Sequence, residues 1–142
     1  MRYFFLVLCI AAALTACDDI DQTNNAGHGQ AAVDESQFTT IQWIDSVQNF
    51  GRIAEGQNLD VSFRFKNTGD KPLIIRSVRP SCGCTAADPP KEPIAPGAEG
   101  VIKATFNSQG REGMNKKDIY VETNTKGQQN HVVHFDVEVV KK

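Results

Sequence analysis

The chain is poor in the features that usually announce an activity. It has 142 residues but only 4 cysteines, 1 tryptophan, 2 methionines and 3 histidines. There is no G-x-S-x-G turn and no H-E-x-x-H pair, so the residue patterns of a serine hydrolase elbow or a zinc peptidase helix are missing. No run beyond the first fourteen residues approaches the ~18 consecutive apolar positions that a membrane-crossing helix needs. Nor does any window carry a helical i, i+3, i+4, i+7 stripe of useful length. Charge of one sign is also lacking, with 15 basic against 17 acidic side chains. A surface that neutralises nucleic-acid phosphates needs clustered Lys and Arg, and no such cluster exists here. Nucleic acid is therefore excluded as a partner.

What is present begins with an address. Met1-Arg2-Tyr3 is a short positive start, and Phe4 to Leu14 is a mostly apolar run of signal-peptide size. It ends in Leu14-Thr15-Ala16-Cys17, which resembles the lipobox of bacterial lipoproteins. That resemblance implies cleavage after residue 16 and a diacylglyceryl thioether on Cys17. Two or more acyl chains anchor stably where one binds only marginally, so the membrane is the first expected partner. Removal of residues 1–16 takes away Arg2 and no acid, leaving 14 basic and 17 acidic side chains and a net charge of −3. Residues 17–37, with the stretch DDIDQTNNAGHGQAAVDES, hold almost no large apolar groups and are expected to be a disordered tether. The address is thus the cell envelope, lipid-anchored to the inner or outer membrane and facing the periplasm or the surface.

From Phe38 the texture changes to alternation with period two. Leu59, Val61, Phe63 and Phe65 alternate with Asp60, Ser62, Arg64 and Lys66, and Val133, Phe135, Val137 and Val139 alternate with His134, Asp136 and Glu138. Each pattern is that of a strand with one buried and one wet face. Ile102, Ala104 and Phe106 share a face, as do Ile119 and Val121, and Ile41 with Trp43 suggests an opening strand. Leu73 to Val78 reads as a strand buried on both sides. Asn67-Thr68-Gly69-Asp70 has the turn chemistry to join residues 59–66 and 72–79 as a hairpin. Ala95-Pro96-Gly97-Ala98 fits a type II turn. The expectation is an all-β, immunoglobulin-like β-sandwich of about seven to eight antiparallel strands in one domain, residues 38–142.

Three segments then carry a family resemblance: NFGRIAEGQ, FRFKNTGDKPLIIRSVRPSCGCT and PIAPGAEGVIKATFNSQGREG. Over about residues 48–140 the chain resembles the bacterial "domain of unknown function 1573" family. The resemblance implies immunoglobulin-like modules, often exported or lipid-anchored, and supplies no activity and no site residues beyond Cys82 and Cys84.

Those two thiols are the remaining candidates for chemistry, since Cys9 would leave with the signal peptide and Cys17 would carry lipid. In an extended strand, residues i and i+2 lie about 6.6–6.8 Å apart at Cα, at the outer limit for a disulfide. A bend at Gly83 would bring them within reach. Three readings stay open: a local disulfide or pair of packed thiols shaping the bend, capture of a soft ion such as Cu(I), and thiol redox chemistry. Zinc would need two further ligands, available only from His28, His131 and His134. Export to an oxidising compartment favours the disulfide-bonded state. His131 and His134, three apart on a strand, face opposite sides and could not chelate one ion directly. No catalytic residue and no cofactor is called for. The function expected from all this is a non-enzymatic module that binds an envelope protein through its sheet edges or loops, with a thiol-based metal or redox module centred on Cys82 and Cys84 as the alternative.

Overall fold

The computed structural model describes residues 35–142. The signal peptide, Cys17, His28 and the tether through residue 34 lie outside the described residues. Glu35–Gln37 forms a short 3-10 turn, and the Gln37 carbonyl accepts a hydrogen bond from Asn124 Nδ2 at 2.8 Å.

Eight strands follow in chain order: β1 (Ile41–Trp43), β2 (Val47–Ala54), β3 (Asn58–Asn67), β4 (Ile75–Pro80), β5 (Thr85–Asp88), β6 (Glu99–Asn107), β7 (Gly113–Thr123) and β8 (Asn130–Val140). They form two four-stranded sheets, ordered β1-β3-β6-β5 and β2-β8-β7-β4. This is an immunoglobulin-like β-sandwich, and the alternation places its core. Val61, Phe63 and Phe65 of β3 meet Ile102, Ala104 and Phe106 of β6 in one inner face, while Ile119, Val121, Val133, Phe135, Val137 and Val139 supply the other. Phe106 and Phe135 make the contact between layers, edge to face at 5.8 Å between ring centroids. Burial of such side chains, roughly 1.5–3 kcal/mol each, is the main force that holds the layers together.

Three local expectations are corrected. First, the strands are not all antiparallel. β1 runs antiparallel to β3, but the chain then changes sheet without reversing, and β2 lies parallel to β8. The change happens at residues 44–46, where the Ile44 and Asp45 amides bond Arg64 O in the first sheet and Ser46 O accepts from His134 N in the second. Second, residues 59–66 and 72–79 are not a hairpin. β3 pairs with β1 and β6, whereas β4 pairs with β7 in the other sheet. The Asn67–Asp70 stretch is a crossing between sheets, with no residue of it at positive φ. Gly69 is needed for space instead: a β-carbon there would overlap Thr39 Oγ1 and the Thr40 amide. Third, the run from Leu73 to Val78 is not buried on both sides. Leu73 is fully buried, but Ile74 is 43% exposed and Ile75 and Val78 are half-buried, because β4 is a sheet edge with solvent on its outer face. The type II turn at residues 95–98 does form, with Gly97 at φ 77° and Ala98 N bonded to Ala95 O.

Two buried asparagines hold the crossing. Asn67, with no exposed surface, donates from Nδ2 to Lys71 O and Ile94 O at 2.8 and 2.9 Å. Its Oδ1 accepts from Thr39 Oγ1 at 2.8 Å and from Gly69 N at 3.1 Å. Asn124 does the same on the far side, donating to Gln37 O and Pro72 O and accepting from Ile74 N. Replacing Asn67 by Ala should remove four hydrogen bonds and leave the buried Thr39 hydroxyl without this acceptor, while Ile94 O keeps its bond from Leu73 N; at about 1–3 kcal/mol for a stranded group, stability in urea unfolding should fall by roughly 2–4 kcal/mol. Asn67→Asp should be no rescue, because a carboxylate accepts from Thr39 and Gly69 but cannot donate to the Lys71 and Ile94 carbonyls. An Asp variant as stable as the parent would show that the donors matter little.

Candidate functional site

The sheet-to-sheet crossing from β4 to β5 carries both cysteines. Cys82 and Cys84 are joined by a disulfide with Cα atoms 5.3 Å apart. Backbone bonds hold both ends of the crossing. Ser81 N donates to Asp118 O at 2.8 Å, Asp118 N to Ser81 Oγ at 3.2 Å, Thr85 N to Cys82 O at 3.3 Å and Asn107 N to Cys84 O at 2.9 Å. The bend owes less to Gly83 than its position suggests, since that residue is not at positive φ and a β-carbon there would meet nothing within 4 Å. Cys84 is 8% exposed and belongs to the core, whereas Cys82 is half-buried and packs on its margin. Thr85 Oγ1 lies 3.8 Å from one sulfur and 4.0 Å from the other. The Lys117 ammonium sits 5.7 Å from the ring centre of Phe106, the residue opposite Thr85 in the β5–β6 ladder. A bridge closing only three residues restricts the unfolded chain little, about 1.6 kcal/mol by loop entropy against about 3 for a fifteen-residue loop. The bond therefore adds little to the stability of the domain.

The histidines separate as their spacing requires. His131 is half-buried beside Trp43, 6.0 Å between ring centroids, and its Nε2 is 2.9 Å from Thr125 Oγ1. That hydroxyl also bonds Thr123 Oγ1 and Gln128 O, closing the β7–β8 turn. His134 lies on the opposite, outer face, across from Asp118 on one side and Val47 on the other. His134 is separated from Ser81, at the start of the cysteine crossing, by Asp118 of β7, the residue opposite His134 and hydrogen-bonded to Ser81. Among the described residues no group of three or more His, Cys, Asp or Glu side chains is arranged to hold a metal ion. Glu55 Oε1 accepts a hydrogen bond from the Gly110 amide at 2.9 Å.

Exposed apolar side chains on the outer face of the β2-β8-β7-β4 sheet were not singled out from the sequence. Tyr120 on β7 and Val132 on β8 are directly opposite each other, and are 47% and 49% exposed. Arg79 on β4 is the neighbour of Tyr120, and Val47 on β2, 61% exposed, is the neighbour of His134. The signal was available in part: if Ile119, Val121 and Val133 face inward, Tyr120 and Val132 must face water. The other sheet's outer face is polar, with a shallow groove of about 530 Å³ between Asp60, Ser62, Lys103, Thr105, Ala86 and Asp88.

The model of the family described as "Protein of unknown function (DUF1573)" matches residues 41–139. The chain belongs to that family. The match covers the whole sandwich from β1 to β8, including both asparagine-held and cysteine-bearing crossings. Among solved structures, the chain is similar to a protein of unknown function from Porphyromonas gingivalis, with 18% identity, a TM-score of 0.65, 73% of this chain covered and 48% of the other. It is also similar to the VesB protease of Vibrio cholerae (14%, TM-score 0.57, 72% and 32%). A third likeness is to an ASH/PapD-like domain of human CEP192 (11%, TM-score 0.54, 75% and 89%). At these identities the likeness is one of fold. The chain spans about half the length of the Porphyromonas protein and about a third of VesB. No curated protein matches it.

His131 carries a pH dependence of its own. Burial holds its imidazole below the usual histidine range, against a smaller upward pull from the Gln128 backbone contact. The folded state thus binds this proton less readily than the unfolded chain. Its stabilising contribution is complete above the unfolded value of about 6.5 and declines as pH falls below it. Urea unfolding between pH 7.5 and 5 should show that decline, and His131→Gln should flatten it. An unchanged slope in the variant would place the titrating group elsewhere.

Proposed function

We propose that this chain is a lipid-anchored protein of the cell envelope whose sandwich is a non-enzymatic module for docking another envelope protein. The observation that carries the docking half is the juxtaposition of Tyr120, Val132 and Val47 on one flat sheet face, with Arg79 beside the tyrosine. Large apolar groups gathered on a wet face favour burial against a partner, and Tyr and Arg are the residue types that interfaces concentrate. The face is a better candidate than the edges. β1 has three residues, β5 has four and runs into Pro89-Pro90, β4 ends at Pro80, and β2 is broken by an irregularity between Asn49 and Arg52 with Gly51 at φ 62°, all features that discourage strand addition. The reading is non-enzymatic because the imidazole–hydroxyl contact of His131 and Thr125 closes a turn, with Thr125 only 3% exposed. The anchoring half rests on the lipobox-like Leu14-Thr15-Ala16-Cys17.

Two measurements test these halves separately. A photo-crosslinking residue at position 132 should give one discrete protein adduct in intact cells, lost when Tyr120→Asp is added, while the same residue at position 107 on the other sheet gives none. Adducts at both positions, or at neither, would overturn the docking face. Mass spectrometry of the mature N-terminus should find a diacylglyceryl group on Cys17, and Cys17→Ala should move the protein out of the membrane fraction. A soluble parent protein or an unmodified Cys17 would remove the anchor.

A further inference from the structure

We propose that Cys82 and Cys84 are a reversible dithiol/disulfide pair, open to exchange with an external dithiol while the sandwich stays folded. This does not rest on the docking face, which lies on the outer surface of the other sheet.

Three features of the crossing support it. The corner has ties besides the sulfur–sulfur bond: Ser81, next to Cys82, is bonded twice to Asp118 of β7, Cys84 O accepts from Asn107 N of β6, and Cys82 O accepts from Thr85 N across the bend. Cleavage therefore leaves two thiols on a scaffold that keeps their Cα atoms near 5.3 Å, ready to close again. The sulfurs are also unequal: Cys82 is half-buried at the margin and Cys84 is in the core, so an incoming thiolate meets Cys82 first. Finally, Thr85 Oγ1 stands at 3.8 and 4.0 Å from the two sulfurs, where its O–H can donate to whichever thiolate is released.

The exchange balances as follows. One thiolate of the external dithiol attacks Sγ of Cys82, the Cys82–Cys84 bond breaks, and Cys84 leaves as a thiolate that takes a proton from water. The second thiolate of the same dithiol then attacks its own sulfur in the mixed disulfide, releasing Cys82, which is protonated in turn. Two electrons pass to the protein pair, and the dithiol becomes a disulfide.

The test uses dithiothreitol on the purified mature protein. Reduction should expose two alkylatable thiols with the far-ultraviolet circular dichroism unchanged and heat unfolding still cooperative, its midpoint lowered by no more than about 10 °C. Removing the reagent under air should restore the bond. In the reduced protein Cys82 should be alkylated roughly tenfold faster than Cys84. Cys84→Ser should trap a mixed disulfide with oxidised glutathione at Cys82, and Cys82→Ser should trap little. If reduction proceeds only as fast as global unfolding, or if the reduced protein loses its cooperative transition, the proposal fails. Because Cys82→Ser/Cys84→Ser should itself fold with the same small loss of midpoint, a double variant that cannot fold would also refute it.

Discussion

A sandwich of two sheets depends on the places where the chain passes from one layer to the other, because there the backbone leaves both ladders and its polar groups lose their automatic partners. In this protein the most demanding passage is the one from β3 to β4, and Asn67 and Asn124 make it possible. Between them they serve the carbonyls of Gln37, Lys71, Pro72 and Ile94 and the amides of Gly69 and Ile74. Each asparagine offers donors and an acceptor from one short side chain, which is why neither Asp nor Leu can replace it. With the passage fixed, Leu73 is held in the core and β4 starts in register beside β7. The asparagines also tie the entering segment, through Thr39 and Gln37, to the same end of the sandwich.

The passage from β4 to β5 solves the same problem by different chemistry. Its backbone groups find partners in β7 and β6, and a disulfide bridges the corner. Because the bridge spans so few residues, its entropic contribution is no larger than that of burying a single core side chain. The first passage is thus a condition of the fold, whereas the second carries a covalent bond that the fold can do without. That difference is the physical basis for treating the cysteines as chemistry and the asparagines as architecture.

The passage at residues 44–46, from β1 to β2, determines which surface is offered to a partner. By changing sheet without turning back, the chain lays β2 alongside β8 and brings Val47 next to His134, one residue pair from Val132. The Arg64–Asp45 pair, with a 2.6 Å contact, supports the bend from the first sheet. Had β1 continued along β3, the outer face of the second sheet would lack its fourth strand and the exposed apolar side chain of Val47.

The period-two alternation of residues such as Leu59 to Lys66 and Val132 to Val140 was enough to read the all-β class, the buried face of each long strand and, through the parity of Ile119 and Val133, the outward direction of Tyr120 and Val132. Proline and glycine at 96 and 97 were enough for one turn. These are properties of neighbouring residues, and short-range sterics and apolar burial decide them. Partner choice is different. The Asn67–Asp70 stretch has the composition of a hairpin turn, yet β3 and β4 go to separate sheets, and β2 pairs in parallel, because pairing is settled by contacts among residues tens of positions apart that no local pattern encodes. For the same reason the strands that Tyr120 and Val132 occupy could be read directly, whereas the strand of Val47 carried no alternation to announce it, and the meeting of the three on one face arises from the register between strands, which only the folded chain sets.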